Sequence, residues 1–376
     1  MKISFVLPTV GMSGGIKVVA IYAKMLADKG HEVVLVSPPP PQPGFFKKIK
    51  SVLKGNGWPQ AKSRKSHLDG LGLNHQVLET YRPVSDIDLP DADIVVASWW
   101  ETAEWVNALD NRKGAKVYFI QHHEVFDFLP VERAEATYKL PLHKIVIAKW
   151  LLDIMNRQYG DYHVDLVSNS VDRQQFYAEP RGKQPVPTIG FLFAYADFKG
   201  VDVTLKAIQK LKATIPDLRV ISFGSFKPDS FPHWDNTIEF YHSPAQDNIR
   251  NLYAQCDVWM TASRTEGFNL PAMEAMACRT PIVSTKAGWP MEAIESFKNG
   301  VLTEVDDVDA LAKGAEWVLS LNENDWKALS LRAYDTISES SWTHSTELFE
   351  KALNNAIAKS NNKDYLKVAN KIEKTP

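Results

Sequence analysis

Cysteine is nearly absent, with only Cys256 and Cys278 in 376 residues. Two thiols cannot staple a chain of this size, and neither sits in a Cys/His spacing that would hold a structural zinc. A reducing, cytoplasmic setting is therefore expected. Long apolar runs are missing as well. None approaches the roughly 18 residues of a membrane-spanning helix, so any membrane contact would be peripheral. The apolar stretch Ile3 to Leu7 is broken by Pro8 and falls short of the about 7–15 residues of a secretory signal core, so secretion is not expected. Nor does one sign of charge dominate. Lys plus Arg (43) nearly balances Asp plus Glu (45), for a net charge of -2, which excludes a dedicated nucleic-acid binder and confines any basic function to a local patch. With 44% hydrophobic residues, 22 Pro and 19 Gly, the composition is that of a globular protein, and the length predicts about two domains.

The first forty residues read as a βαβ unit. A short apolar run (Ile3 to Leu7) precedes a loop containing Gly11, Gly14 and Gly15. Then Ile16, Val19, Ala20, Ala23, Leu26 and Ala27 recur at helical spacing, with Gly30 placed to end the helix before Glu32–Val36. Further Val/Ile-rich runs at Ile94–Ala97, Val117–Ile120 and Ile145–Ala148 predict a parallel sheet, so residues 1–178 are expected to form an N-terminal doubly wound, Rossmann-like domain. The polar, proline-rich stretch Glu179–Pro187 reads as a linker. The scheme then repeats: a strand over Ile189–Phe193, a loop ending in Lys199-Gly200, a helix over Val201–Ala213, a strand over Leu218–Phe223, and more strands near Ile238, Asp257–Thr261, Pro281–Val283 and Val301. Residues 187–342 are thus expected to form a second such domain. The expected fold class is α/β, two doubly wound domains facing across a cleft. Open parallel sheets bind ligands beyond the carboxyl ends of their strands, and chemistry is expected there.

Four segments fall at such ends. The Gly14-Gly15 turn lacks the Gly-x-Gly-x-x-Gly spacing of a dinucleotide site, and the second strand ends in Ser37-Pro38 without an acid, but amides opening a helix still suit an anionic group. Thr265 to Ala277 is the most telling. Glu266 follows a buried strand, Asn269 is placed to cap a helix whose first turn contains Pro271, and the amides near Gly267, Phe268, Asn269 and Leu270 can hold a diphosphate. Glu274 sits within that apolar, buried helix, where a carboxylate needs partners. Two glutamates with seven residues between them, flanking one helix start, suit a bound polyol and phosphate. Lys199 can neutralise a phosphate, and Arg264 can pair with Glu266 or serve as a second phosphate ligand. Gln121-His122-His123-Glu124 closes the set, since a histidine at a strand end can bind a sugar hydroxyl or move a proton. His122 and His123 lack a third metal ligand at useful spacing, and Asp91-Ala92-Asp93 precedes a strand and reads as a turn. No metal and no cofactor are expected.

These residues together resemble the retaining GT-B glycosyltransferases, specifically their large fourth family. The Glu266-Gly267-Phe268 to Glu274 stretch carries the likeness, with Lys199-Gly200, Gly14-Gly15 and Asn169-Ser170-Val171-Asp172 in support. The resemblance implies a nucleotide-sugar donor held mainly by the second domain, with Glu266 on the sugar, Glu274 on the ribose, and Lys199 with the amides near Phe268 and Asn269 on the diphosphate. It implies metal-independent transfer by front-face attack without a protein nucleophile, to a glycan or lipid-linked acceptor. Departures are visible. No arginine occurs in Ala194–Phe198, so the diphosphate lacks one usual cation or recruits Arg264. Asn169-Ser170 replaces Asn-Gly, Arg279 stands where glycine is common, and Gln121-His122-His123 departs from His-Asp. A GT-B epimerase and a non-catalytic nucleotide-sugar binding module are the rival classes.

Two segments remain. Residues 45–65 carry Lys47, Lys48, Lys50, Lys54, Lys62, Arg64 and Lys65 with no acid, among Phe45, Phe46 and Trp58. That composition suits an anionic membrane or a lipid diphosphate, and equally a solvated loop. Trp342 to Ala358 is helical in pattern; the resemblance implies that it crosses back to the first domain, with a charged tail completing residues 343–376.

Overall fold

The computed structural model describes residues 1–40 and 65–361. The basic segment and the charged tail lie outside these residues, apart from Lys65. Contacts divide the chain into two compact units, one from Met1–Ile147, Leu151–Val167 and Thr346–Pro376, the other from Ala148–Trp150 and Ser168–Ser345.

The first unit contains β1 (Lys2–Val6), α1 (Gly14–Asp28), β2 (Glu32–Ser37), β3 (Asn74–Val77), β4 (Ile94–Ala97), α2 (Trp100–Ala108), β5 (Ala115–Ile120), α3 (Val131–Thr137), β6 (His143–Val146), α4 (Lys149–Tyr159) and β7 (Asp165–Leu166). Its strands pair in the order β3-β2-β1-β4-β5-β6-β7, all parallel. The buried runs of β1, β4 and β5 are what a sheet covered on both faces demands. Gly30, at φ 89°, ends α1 as expected. Asp91 pairs with Lys113 at 2.9 Å and Asp93 accepts from the Lys2 amide at 2.7 Å, so both aspartates serve the turn.

The second unit contains β8 (Thr188–Leu192), a 3-10 turn at Asp197–Lys199, α5 (Val201–Thr214), β9 (Arg219–Gly224), β10 (Glu239–His242), α6 (Gln246–Ala254), β11 (Val258–Thr261), α7 (Leu270–Ala277), β12 (Ile282–Thr285), α8 (Pro290–Ala293), β13 (Val301–Thr303), α9 (Val308–Ser320) and α10 (Glu323–Ile337). Its parallel order is β10-β9-β8-β11-β12-β13. Ile189, Phe191, Val258, Met260 and Val283 of the sheet pack with Leu205, Ile208, Leu311 and Ala315 of α5 and α9 in one core. The stretch Glu179–Pro187 is not a loose linker. Arg181 donates to the Cys256 carbonyl at 2.5 Å and to Thr280 at 2.8 Å, and Gln184 donates through its backbone to Asp257 at 2.7 Å, so the segment is fastened to the second unit.

The final helix, α11 (Trp342–Asn361), counts with the first unit from Thr346 on. Phe349 is fully buried against Tyr22 at 4.5 Å and Phe119 at 5.0 Å. Glu350 pairs with Lys29 at 2.6 Å and His31 at 2.9 Å.

Candidate active site

In the second sheet the strand order reverses between β8 and β11, which are hydrogen-bonded neighbours. The loops leaving their carboxyl ends therefore run side by side, and these loops carry Lys199 and Glu266. Gly200 makes the approach. At φ 60° it is left-handed, and a Cβ there would stand 1.9 Å from the Ala262 carbonyl, so no other residue closes the turn onto β11. The result is a direct pair, with Lys199 Nζ donating to Glu266 Oε1 at 2.7 Å. Ser263 Oγ donates to the same oxygen at 2.7 Å. Glu266 is 8% exposed, and a small recess around the pair is lined by Thr261, Asn269 and Pro271.

Glu266 thus takes Lys199 as its ion partner, not Arg264. Arg264 is spent on the loop itself. It donates to the Asp197 carbonyl at 2.6 Å and pairs with Asp202 at 3.0 Å and Asp306 at 2.8 Å. These bonds fasten the 3-10 turn that ends in Lys199, which makes Arg264 a brace.

Asn269 precedes α7 but caps it differently from expectation. Its backbone is left-handed (φ 78°), its side chain makes no capping bond, and its Nδ2 donates to Thr261 at 3.0 Å. The amides of Gly267, Phe268 and Asn269 have no acceptor among the described residues, which leaves donors at the positive end of the helix dipole. The carbonyls on the other side of these peptides are held. Trp150 Nε1 donates to the Gly267 carbonyl at 2.9 Å, and the Trp289 amide donates to the Phe268 carbonyl at 2.8 Å. Phe268 and Trp289 stack at 5.9 Å. Gly288, at φ 70°, lets the two segments meet, since a Cβ there would lie 2.7 Å from the Phe268 carbonyl. Leu270 opens α7. Glu274 lies one turn along, 7% exposed, and accepts from Tyr253 Oη at 2.9 Å. Burial and the neighbouring Glu274 carboxylate push the Tyr253 phenol up, so it remains a donor.

Gly14, Gly15, His122 and His123 belong to the first unit. Ser13 accepts from the Ile16 amide at 3.4 Å and so caps α1, and Gln121 donates to the Gly15 carbonyl at 3.2 Å. After β5, His122 Nδ1 donates to the His123 carbonyl at 2.9 Å, and His123 Nε2 bonds Tyr159 Oη at 2.7 Å. Burial first, then the nearby His122, lowers His123 to about 4, so this ring is neutral at pH 7. Glu124, which sequence reasoning left without a role, is fully buried. It accepts from the Trp100 amide at 2.6 Å and from Tyr118 at 3.2 Å, and burial holds its carboxyl well above the usual range. Trp150, Tyr253, Gly288 and Trp289 were also missed. They act through contacts distant in sequence, which leave no local signal.

Residues 173–334 match the family model of glycosyl transferases group 1. Among curated proteins, the D-inositol 3-phosphate glycosyltransferase of Mycolicibacterium gilvum is 26% identical over 229 residues, 55% of this chain and 50% of that protein. The N-acetyl-alpha-D-glucosaminyl L-malate synthase of Bacillus anthracis is 34% identical over 94 residues, 25% of this chain and 24% of that protein. The chain spans about half the length of the first of these relatives. Among solved structures, HepE of Anabaena in complex with UDP superposes with a TM-score of 0.71 at 17% identity, covering 94% of this chain and all of that one. Two parallel doubly wound sheets with this likeness give the chain the GT-B fold.

Proposed function

Because residues 173–334 match the family model of glycosyl transferases group 1, we propose that the chain moves a hexosyl or deoxyhexosyl group from a nucleotide sugar to a glycan or lipid-linked acceptor, with retention and without a metal. The observation that carries this reading is the Lys199–Glu266 pair beside the unbonded amides of Gly267, Phe268 and Asn269. The amides and the lysine present positive charge where a diphosphate leaves, and Glu266 offers a carboxylate to the hydroxyls of the transferred sugar. The UDP in HepE is in keeping with such a donor.

In the proposed reaction the bond from the anomeric carbon to the diphosphate breaks, and its electron pair leaves on phosphate. The acceptor hydroxyl forms the new bond on the same face and passes its proton to the departing phosphate oxygen. Charge therefore grows on the diphosphate and, with opposite sign, on the sugar. Donors already aimed at the leaving oxygen stabilise this more in the transition state than in the ground state. Lys199, held by Glu266, passes to phosphate when the donor enters. Glu274 is assigned to the ribose, Gly14 and Gly15 to the donor, and His122 or His123 to catalysis.

Screening UDP-, GDP-, ADP- and dTDP-sugars by thermal unfolding tests the reading. The right donor, at about 100 times its dissociation constant, adds about 2.7 kcal/mol. Absence of any shift across the four nucleotides contradicts it. For a lipid-linked acceptor, the basic segment at 45–65 would meet an anionic membrane. Replacing Lys47, Lys48, Lys50 and Lys54 by Ser is expected to weaken vesicle binding by about 1 kcal/mol per charge.

A further inference from the structure

We propose that a cavity of about 930 Å³ on the second unit, walled by Tyr195, Phe231 and Trp234, binds a neutral oligosaccharide. The cavity exists because the crossover from β9 to β10 contains no helix. Residues 225–238 run as irregular chain, and Phe231 and Trp234 cover the sheet by packing on Phe193 at 5.3 and 5.2 Å. Beside α5, where a crossover helix would ordinarily lie, a groove remains.

Three features of its lining identify the ligand class. The first is aromatic surface. The Tyr195 ring is 44% exposed, and its hydroxyl is tied down by donating to the Lys227 carbonyl at 2.8 Å, so the ring is presented in a fixed orientation. Such a ring suits the apolar C–H face of a pyranose. The second is unspent hydrogen-bonding capacity. Among the described residues, the Trp234 indole N–H, the Gln209 amide and the His233 ring have no partner, and His233 is held in the left-handed region at φ 59°. The third is charge that is already neutralised. Asp235 pairs with Lys212 at 2.5 Å, Asp202 with Arg264 at 3.0 Å and with Lys206 at 3.7 Å, and Asp197 with Arg264 at 3.4 Å. An ionic ligand would find no free countercharge there, whereas a polyol needs none. At the upper end of the about 300–1,000 Å³ typical of ligand pockets, the space takes several sugar rings.

The site is separate from the Lys199–Glu266 recess, with no lining residue in common, but is linked to it through Arg264. Asp197 and Asp202 line the cavity and also hold Arg264, which braces the turn ending in Lys199. A glycan seated here would lie against the outer side of that turn. The proposal does not depend on the transferase reading, since binding is measured without turnover.

The test is ligand-observed NMR and calorimetry on the full chain with maltotetraose, cellotetraose and chitotetraose. At least one is expected to bind saturably, about tenfold more weakly in Trp234→Ala and more weakly in Gln209→Ala, a change on the helix surface that leaves folding intact. Binding is expected to persist in Glu266→Gln and in the presence of excess nucleoside diphosphate. The proposal is overturned if none of the three saturates the wild-type chain, if affinity survives both cavity variants, or if Glu266→Gln or the nucleotide abolishes binding.

Discussion

Gly288 and Gly200 set the local geometry of the candidate site. Each occupies the left-handed region with a carbonyl within 3 Å of where a Cβ would sit, Phe268 O for Gly288 and Ala262 O for Gly200. In Gly288→Ala the new methyl and the positive φ act together, and the segment bearing Phe268 must move. Stability is expected to fall by about 1–3 kcal/mol, read as a lower urea midpoint with an unchanged slope. Nucleotide binding should weaken beyond that of a control such as Gly160→Ala, where the Cβ meets no neighbour. Equal effects at both positions would contradict the placement. Glu266 and Glu274 were legible as candidates, Glu274 because a carboxylate in an apolar run demands a partner. The identity of those partners was not, since Lys199 and Tyr253 are distant in sequence, and the alternatives for Arg264 could be settled only by seeing Asp202 and Asp306 around it.

Among elements, those with strong apolar periodicity were readable and the rest were not. The helix over 201–213 and the strands β4, β5, β8 and β9 lie within one or two residues of expectation. β6 begins at His143, two residues before the apolar run, because His143 and Lys144 are buried through partners, Asp165 at 2.8 Å and Asp161 at 2.7 Å. β3 (Asn74–Val77) and the two-residue β7 were missed since edge strands carry little apolar pattern. The loop after β5 has a consequence for pH. Burial holds His123 at about 4, whereas an unfolded histidine titrates near 6.5. As pH falls below about 6.5 the unfolded chain takes up the proton first, so folding is progressively disfavoured until about pH 4. In His123→Gln this contribution is absent. Its urea midpoint is therefore expected to fall less steeply between pH 6.5 and 4.5 than that of the wild type. Parallel profiles would contradict a neutral, buried His123.

For the whole molecule, the two-sheet plan followed from the repeated alternation of apolar runs and helical patterns. The fastening of Glu179–Pro187 onto the second unit did not, because it depends on Arg181 reaching Cys256 and Thr280. Among the described residues no cluster of His, Cys, Asp and Glu could hold a metal, and no helix is long and apolar enough to cross a membrane. If Lys199 and the amides before α7 carry the diphosphate, excess EDTA is expected to leave transfer unchanged, and strict dependence on magnesium or manganese would count against that arrangement. The most direct test compares Glu266→Gln with Glu274→Gln by titrating the matching nucleoside diphosphate and measuring donor consumption. Glu274→Gln removes a charged bond made equally in ground and transition states. It should cost about 1.5–3 kcal/mol of nucleotide affinity, with the loss mainly in KM. Glu266→Gln should bind the diphosphate almost as well as wild type, because that ligand has no sugar, and lose kcat. If Glu266→Gln instead loses diphosphate affinity as severely as Glu274→Gln while keeping kcat, or if both variants turn over normally, the two carboxylates do not divide the donor in this way.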